Sequence, residues 1–106
     1  MSTTEEIAFS IISLAGDGRA ALTKALSAAR NGDFGQAEAL VKEADEKLLE
    51  AHRKQTEELL KKEADGLLKD PFNVLIAHAQ DYVMTGMVMK EMTKEIINLY
   101  LQIKAK

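Results

Sequence analysis

The side chains best suited to nucleophilic chemistry near neutral pH are two imidazoles, His52 and His78. The 106-residue chain has no cysteine, which removes thiolate catalysis, disulfides and cysteine-based zinc sites together. His78 sits in Ala77-His78-Ala79-Gln80-Asp81-Tyr82. At helical spacing it shares a face with Val74, Tyr82, Thr85, Met89 and Met92, and Asp81 follows one turn on. An unperturbed imidazole titrates near about pH 6.5, so a neutral nitrogen nucleophile is available without a base to deprotonate it. A histidine in an apolar stripe also fits a partly buried packing role, and spacing alone leaves both readings open.

His52 lies among charges in Glu50-Ala51-His52-Arg53-Lys54, which suits a solvated or supporting role. Gln55 and Thr56 are suited to hydrogen bonds within a bundle. Asp81 reads as a helix cap or polar edge contact, and its charge favours the imidazolium form of His78. Met84, Met87, Met89 and Met92 read as packing, because thioethers fill irregular gaps between helices. The chain has neither a glycine-rich phosphate loop nor a metalloprotease motif.

The elements that must hold these residues are helical. Thr3 with Glu6 forms a capping-box pattern, and Ile7, Ile11, Leu14, Gly18, Leu22, Ala25 and Ala29 recur at steps of three or four. Gly16 and Gly18 are expected to weaken this helix locally. Asn31-Gly32-Asp33 punctuates a tight hairpin, with Asp33 capping a second helix marked by Ala37, Leu40, Val41, Ala44, Leu48, Ala51, Gln55 and Leu59. Gly66 and Asp70-Pro71 mark the next break, with Asp70 as cap and Pro71 in the first turn. The expected helices span about 3–30, 33–64 and 71–103, each about 45 Å long. The expectation is thus one all-α domain over residues 1–106, an antiparallel up-down-up three-helix bundle.

The third helix has more apolar residues than one stripe needs, from Val74 to Ile103, so it is expected to be buried on more than one side. In a three-helix bundle the surplus would lie in water, and homo-oligomerisation follows as an expectation. A net charge of −3 gives no basic footprint for nucleic acid or an anionic membrane. The start lacks a basic leader, and no apolar run reaches membrane-spanning length, so the chain is expected to be cytoplasmic without membrane insertion.

Five segments carry a family resemblance: Ile11-Ile12-Ser13-Leu14-Ala15-Gly16-Asp17; Gly32-Asp33-Phe34; Glu43-Ala44-Asp45; Ala51-His52 with Gln55-Thr56; and His78-Ala79-Gln80-Asp81 with Met84-Thr85. Together they resemble the IIA component of the lactose/cellobiose (N,N′-diacetylchitobiose) family of the bacterial phosphoenolpyruvate-dependent sugar phosphotransferase system. The resemblance implies that His78, through Nε2, accepts a phosphoryl group from the histidine-containing phosphocarrier protein. It further implies donation to a cysteine of the cognate IIB component during uptake of a disaccharide of this class. It implies a homotrimer, with Gln80 and Tyr82 around His78 and with Asp81 residues converging on the threefold axis to hold Mg2+. Many relatives resemble His-Ala-Gln-Asp-His here, whereas this chain has Tyr82 in the fifth place, whose hydroxyl donates or accepts but does not titrate near neutrality.

Two other classes compete. A histidine phosphotransfer domain of two-component signalling also presents histidine on a bundle helix, but usually resembles His-x-x-Lys-Gly, where this chain has Asp81 and Tyr82. A structural helical adaptor would use the Met and Ile surface for docking and His78 for packing alone.

Overall fold

The computed structural model describes residues 3–67 and 73–105. They form helices only, with no strand among the described residues. Helix α1 spans Thr4–Arg30 and α2 spans Phe34–Lys54. A π-helical segment, Gln55–Leu60, and the short α3, Lys61–Ala64, continue α2 as one rod. Helix α4 spans Val74–Ala105.

The ends follow from the residues at them. Thr3 caps α1, its hydroxyl accepting from the Glu6 N–H at 3.2 Å. At the hairpin Gly32 takes φ +84°, which lets the Gly32 and Asp33 N–H groups reach back to Ala29 and Ala28 carbonyls in a Schellman closure. Asp33 then caps α2 by accepting from the Gln36 N–H at 3.1 Å. Gly66, at φ +70°, closes α3 in the same way. The expected start of the last helix at Asp70-Pro71 lies outside the described residues. The described helix begins at Val74, where the Asn73 side chain accepts from the Leu75 N–H at 2.7 Å and serves as the cap.

Two expectations are corrected. Gly16 and Gly18 do not weaken α1, which runs unbroken through both. Gly18 instead lets α2 approach: a Cβ there would stand 2.8 Å from Leu48 Cγ and 3.2 Å from the Ala44 carbonyl oxygen. Leu48 is fully buried and also reaches Gly86 of α4, where a Cβ would stand 2.8 Å from its Cδ2. One leucine thus seats in glycine notches on both neighbouring helices. The second correction is the π turn, in which the Lys61 N–H bonds the Thr56 carbonyl. Gln55 and Leu59, both within this segment, are buried.

The molecule is a rod of 57 × 19 × 18 Å. Its accessible surface of 6776 Å² exceeds the roughly 5,900 Å² expected for a compact monomer of this mass. Much of the excess is apolar and lies on α4: Val74, Met84, Val88, Met92, Ile96, Leu99 and Ile103 are all exposed. Their steps of three and four place most of them on one stripe, opposite the face that carries buried Ile76, Ala79, Val83 and Gly86. No described helix is long and apolar enough to cross a membrane.

Candidate functional site

Helix α4 holds His78 at its fifth residue, and the imidazole is exposed rather than partly buried in packing. The reason is architectural: α1 and the α2 rod cover only one side of α4, and His78 falls at the edge of the uncovered side. Asp81 lies three residues on, about 60° round the helix, on the midline of the apolar stripe. It is exposed, and its carboxylate enters no salt bridge or hydrogen bond among the described residues.

Tyr82, one turn beyond His78, packs ring against ring with it, centroids 5.4 Å apart and planes tilted by 30°. The phenol lies along α1 beside Gly16, where a Cβ would stand 3.6 Å from Tyr82 Cε2. Its hydroxyl makes no hydrogen bond among the described residues. Gln80 is not beside the imidazole: residues two apart do not face each other on a helix, and the Gln80 Nε2 is buried without a hydrogen-bond partner. Gln55 is buried, with 4% of its surface exposed, but its Oε1 finds no partner among the described residues either, and Thr56 is exposed. His52 is half-buried on the other rod.

The sequence reading missed Arg19. Its Nη1 donates to Thr85 Oγ1 at 2.8 Å and to the Tyr82 carbonyl at 3.4 Å, and its guanidinium carbon stands 4.5 Å from the Tyr82 ring centroid. The Thr85 hydroxyl in turn donates to the Asp81 carbonyl at 2.7 Å. Arg19 lies two residues beyond Asp17, the end of a segment already singled out, but nothing local announces a partner more than sixty residues away.

Among the described residues, no cluster of three or more carboxylate and histidine side chains could hold a metal ion. An apolar groove of about 360 Å³, lined by Phe34, Val41, Ile97 and Leu101 among others, lies at the hairpin end. That is about 25 Å or more along α4 from His78, so it is no part of this site. The chemistry available at His78 is that of an exposed imidazole on a stiff helix, open to another macromolecule.

Fold and site together define a helical protein that presents one exposed imidazole, flanked by an aromatic ring and a carboxylate. The chain belongs to the family described as "PTS system, Lactose/Cellobiose specific IIA subunit", whose model matches residues 6–101. It is 43% identical over 94 residues to the lactose-specific EIIA component of the phosphotransferase system of Lactococcus lactis subsp. lactis, covering 89% of this chain and 88% of that one. It is similar to the crystal structure of the cellobiose-specific enzyme IIA from Bacillus anthracis, with a TM-score of 0.89 and 38% identity over 100% of this chain and 96% of that one. It is also similar to IIA(Chitobiose) in its complex with HPr from Escherichia coli, with a TM-score of 0.81 and 30% identity over 98% and 99% of the two chains. The chain is thus a phosphoryl-transfer component of a sugar phosphotransferase system, and neither the adaptor nor the two-component reading is favoured.

Proposed function

We propose that His78 is the phosphoryl-carrying residue, charged by the histidine-containing phosphocarrier protein and discharged to a cysteine of the cognate IIB component. In the first step an imidazole nitrogen, Nε2 in this reading, forms a bond to phosphorus as the donor's own nitrogen–phosphorus bond breaks. In the second the new bond breaks as the cysteine sulfur takes the phosphoryl group. Such transfer asks mainly for in-line placement, so a rigid helix can present the nucleophile while the partner supplies the rest of the site. The observation that carries this reading is the exposure of His78, against half-buried His52. The E. coli IIA(Chitobiose)–HPr complex supports the choice of donor. The cargo is a disaccharide of the lactose, cellobiose or chitobiose type, and the working compartment is the cytoplasm.

The assembly in this reading is a homotrimer built on the exposed stripe of α4. Burying Met84, Val88, Met92, Ile96 and Leu99 around an axis would remove the surplus apolar surface from water. Asp81 shares that stripe's midline, so three copies would bring three carboxylates to the axis while His78, on the stripe's flank, faced the cleft between protomers. Carboxylates within about 5 Å of one another would repel by roughly 3 kcal/mol per pair at an effective dielectric constant of 20. An unpaired oxygen donor from each copy, completed by waters, fits Mg2+, which would neutralise that charge.

The test is transfer itself. Mixed with phosphoenolpyruvate, enzyme I and the histidine phosphocarrier, the wild-type chain and His52→Gln should take up one acid-labile phosphoryl group, and His78→Gln none. Labelling of His78→Gln at the wild-type level would end the assignment.

A further inference from the structure

We infer that Arg19 is a positioning residue for phosphoryl transfer, acting on His78 through Tyr82 and Thr85. The inference rests on His78 being the phosphoryl acceptor.

Arg19 is the tie between α1 and the turn of α4 that follows His78. Its stem crosses α4 at Gly86, where an added Cβ would stand 3.5 Å from Arg19 Cγ, an ordinary van der Waals contact. Its guanidinium then reaches three groups within four residues: the Tyr82 ring, the Tyr82 carbonyl and the Thr85 hydroxyl. Thr85 passes the connection to the Asp81 carbonyl, so the backbone from 81 to 85 is anchored to α1. The Tyr82 ring, gripped by the guanidinium, is the surface against which the His78 imidazole rests at 5.4 Å.

Two properties of arginine suit it to this task. The planar fork donates to an oxygen while its face stacks on an aromatic ring, a combination an ammonium cannot reproduce. The guanidinium carbon stands 4.5 Å and the imidazole centroid 5.4 Å from the Tyr82 ring centroid, so the ring is the contact the two groups share. The contribution assigned to Arg19 is geometric, through the ring it holds, and Arg19→Lys separates it from simple charge. An exposed His78 free to sample several rotamers would meet the incoming phosphorus in line only part of the time, and the Tyr82 ring restricts that freedom.

The test compares Arg19→Met, Arg19→Lys, Tyr82→Leu and Tyr82→Phe in the full chain. The readouts are phosphoryl-transfer rate from the phosphorylated histidine phosphocarrier, the 31P shift of the phosphohistidine and thermal unfolding. Arg19→Met and Tyr82→Leu should each slow transfer by about tenfold or more and move the 31P resonance. Arg19→Lys should remain impaired, because charge without the planar fork does not hold the ring. Tyr82→Phe, which keeps the ring, should lose less than Tyr82→Leu. Adding Arg19→Met to Tyr82→Leu should cost little further, since both act through one contact. Full rescue by Arg19→Lys would overturn the inference in favour of simple charge. A wild-type rate and 31P shift in Arg19→Met would overturn it outright. Should Arg19→Met fail to fold, the Lys and Phe variants decide alone. Failure of wild type to accept phosphate on His78 would count against the functional reading, a different outcome from any of these.

Discussion

Lys90 Nζ and Asp45 Oδ1 stand 2.6 Å apart across the contact between α4 and α2, the lysine side chain 9% exposed and the aspartate 37%. The difference in exposure makes the pair asymmetric. Removing Asp45 strands an ammonium in the interior with only Glu91, 4.0 Å away, as a distant substitute. Removing Lys90 leaves a carboxylate that water already reaches. Asp45→Ala should therefore cost about 2–3 kcal/mol in urea unfolding, and Lys90→Met less than about 1 kcal/mol, because the thioether refills the volume. Equal losses would show that the lysine is better hydrated than its burial implies.

The two glycine notches around Leu48 should also respond differently. Alanine raises helix propensity by about 1 kcal/mol at either site. At Gly18 the new methyl meets the Leu48 branch carbon and a backbone carbonyl, neither of which can move without parting α1 from α2. Gly18→Ala should be net destabilising by about 1–2 kcal/mol. At Gly86 it meets the far end of Leu48 and the flexible Arg19 stem, and Gly86→Ala should change stability by less than about 1 kcal/mol. Thermal unfolding of both variants measures the contrast.

Asp81→Leu places an apolar group on the midline of the α4 stripe. In the trimer reading it should abolish any Mg2+ dependence of assembly while preserving the oligomer through packing. Sedimentation with and without a chelator measures this, and dissociation of Asp81→Leu to monomers would contradict the reading.

Val88→Lys probes the same stripe without touching the proposed metal site. Val88 is 61% exposed in the single chain, so the folded protomer should tolerate the change. Burial of three ammonium groups at an axis should weaken association by about 3 kcal/mol or more. A monomer with unchanged helical circular dichroism is the expected result; an intact oligomer would place the interface elsewhere.

The helices, and their ends at Thr3, the Asn31–Asp33 hairpin and Gly66, were legible because they are local. The caps at Thr3 and Asp33 and the turns at Gly32 and Gly66 each depend on residues a few positions apart. The surplus apolar face of α4 was legible for the same reason, through the 3.6-residue period, whereas spacing alone left the role of His78 open. What escaped depends on which helix lies against which. Gly18 read as a weak point because its partner Leu48 is thirty positions away. Lys90 and Arg19 gave no local sign, their partners lying 45 and more than 60 positions off. Gln80, two residues from His78, lies about 200° round the helix from it. The π turn gave no sign in the apolar period, which runs through Gln55 and Leu59 at ordinary helical spacing.

The central claim is that one imidazole carries the phosphoryl group, and peptide mapping of the phosphorylated protein at alkaline pH tests it most directly. The account predicts a single phosphoryl group per chain on the peptide containing His78, lost on brief acid treatment, with the His52 peptide unmodified. A phosphoryl group mapped to His52, or one that survives acid on a hydroxyl side chain, would contradict it.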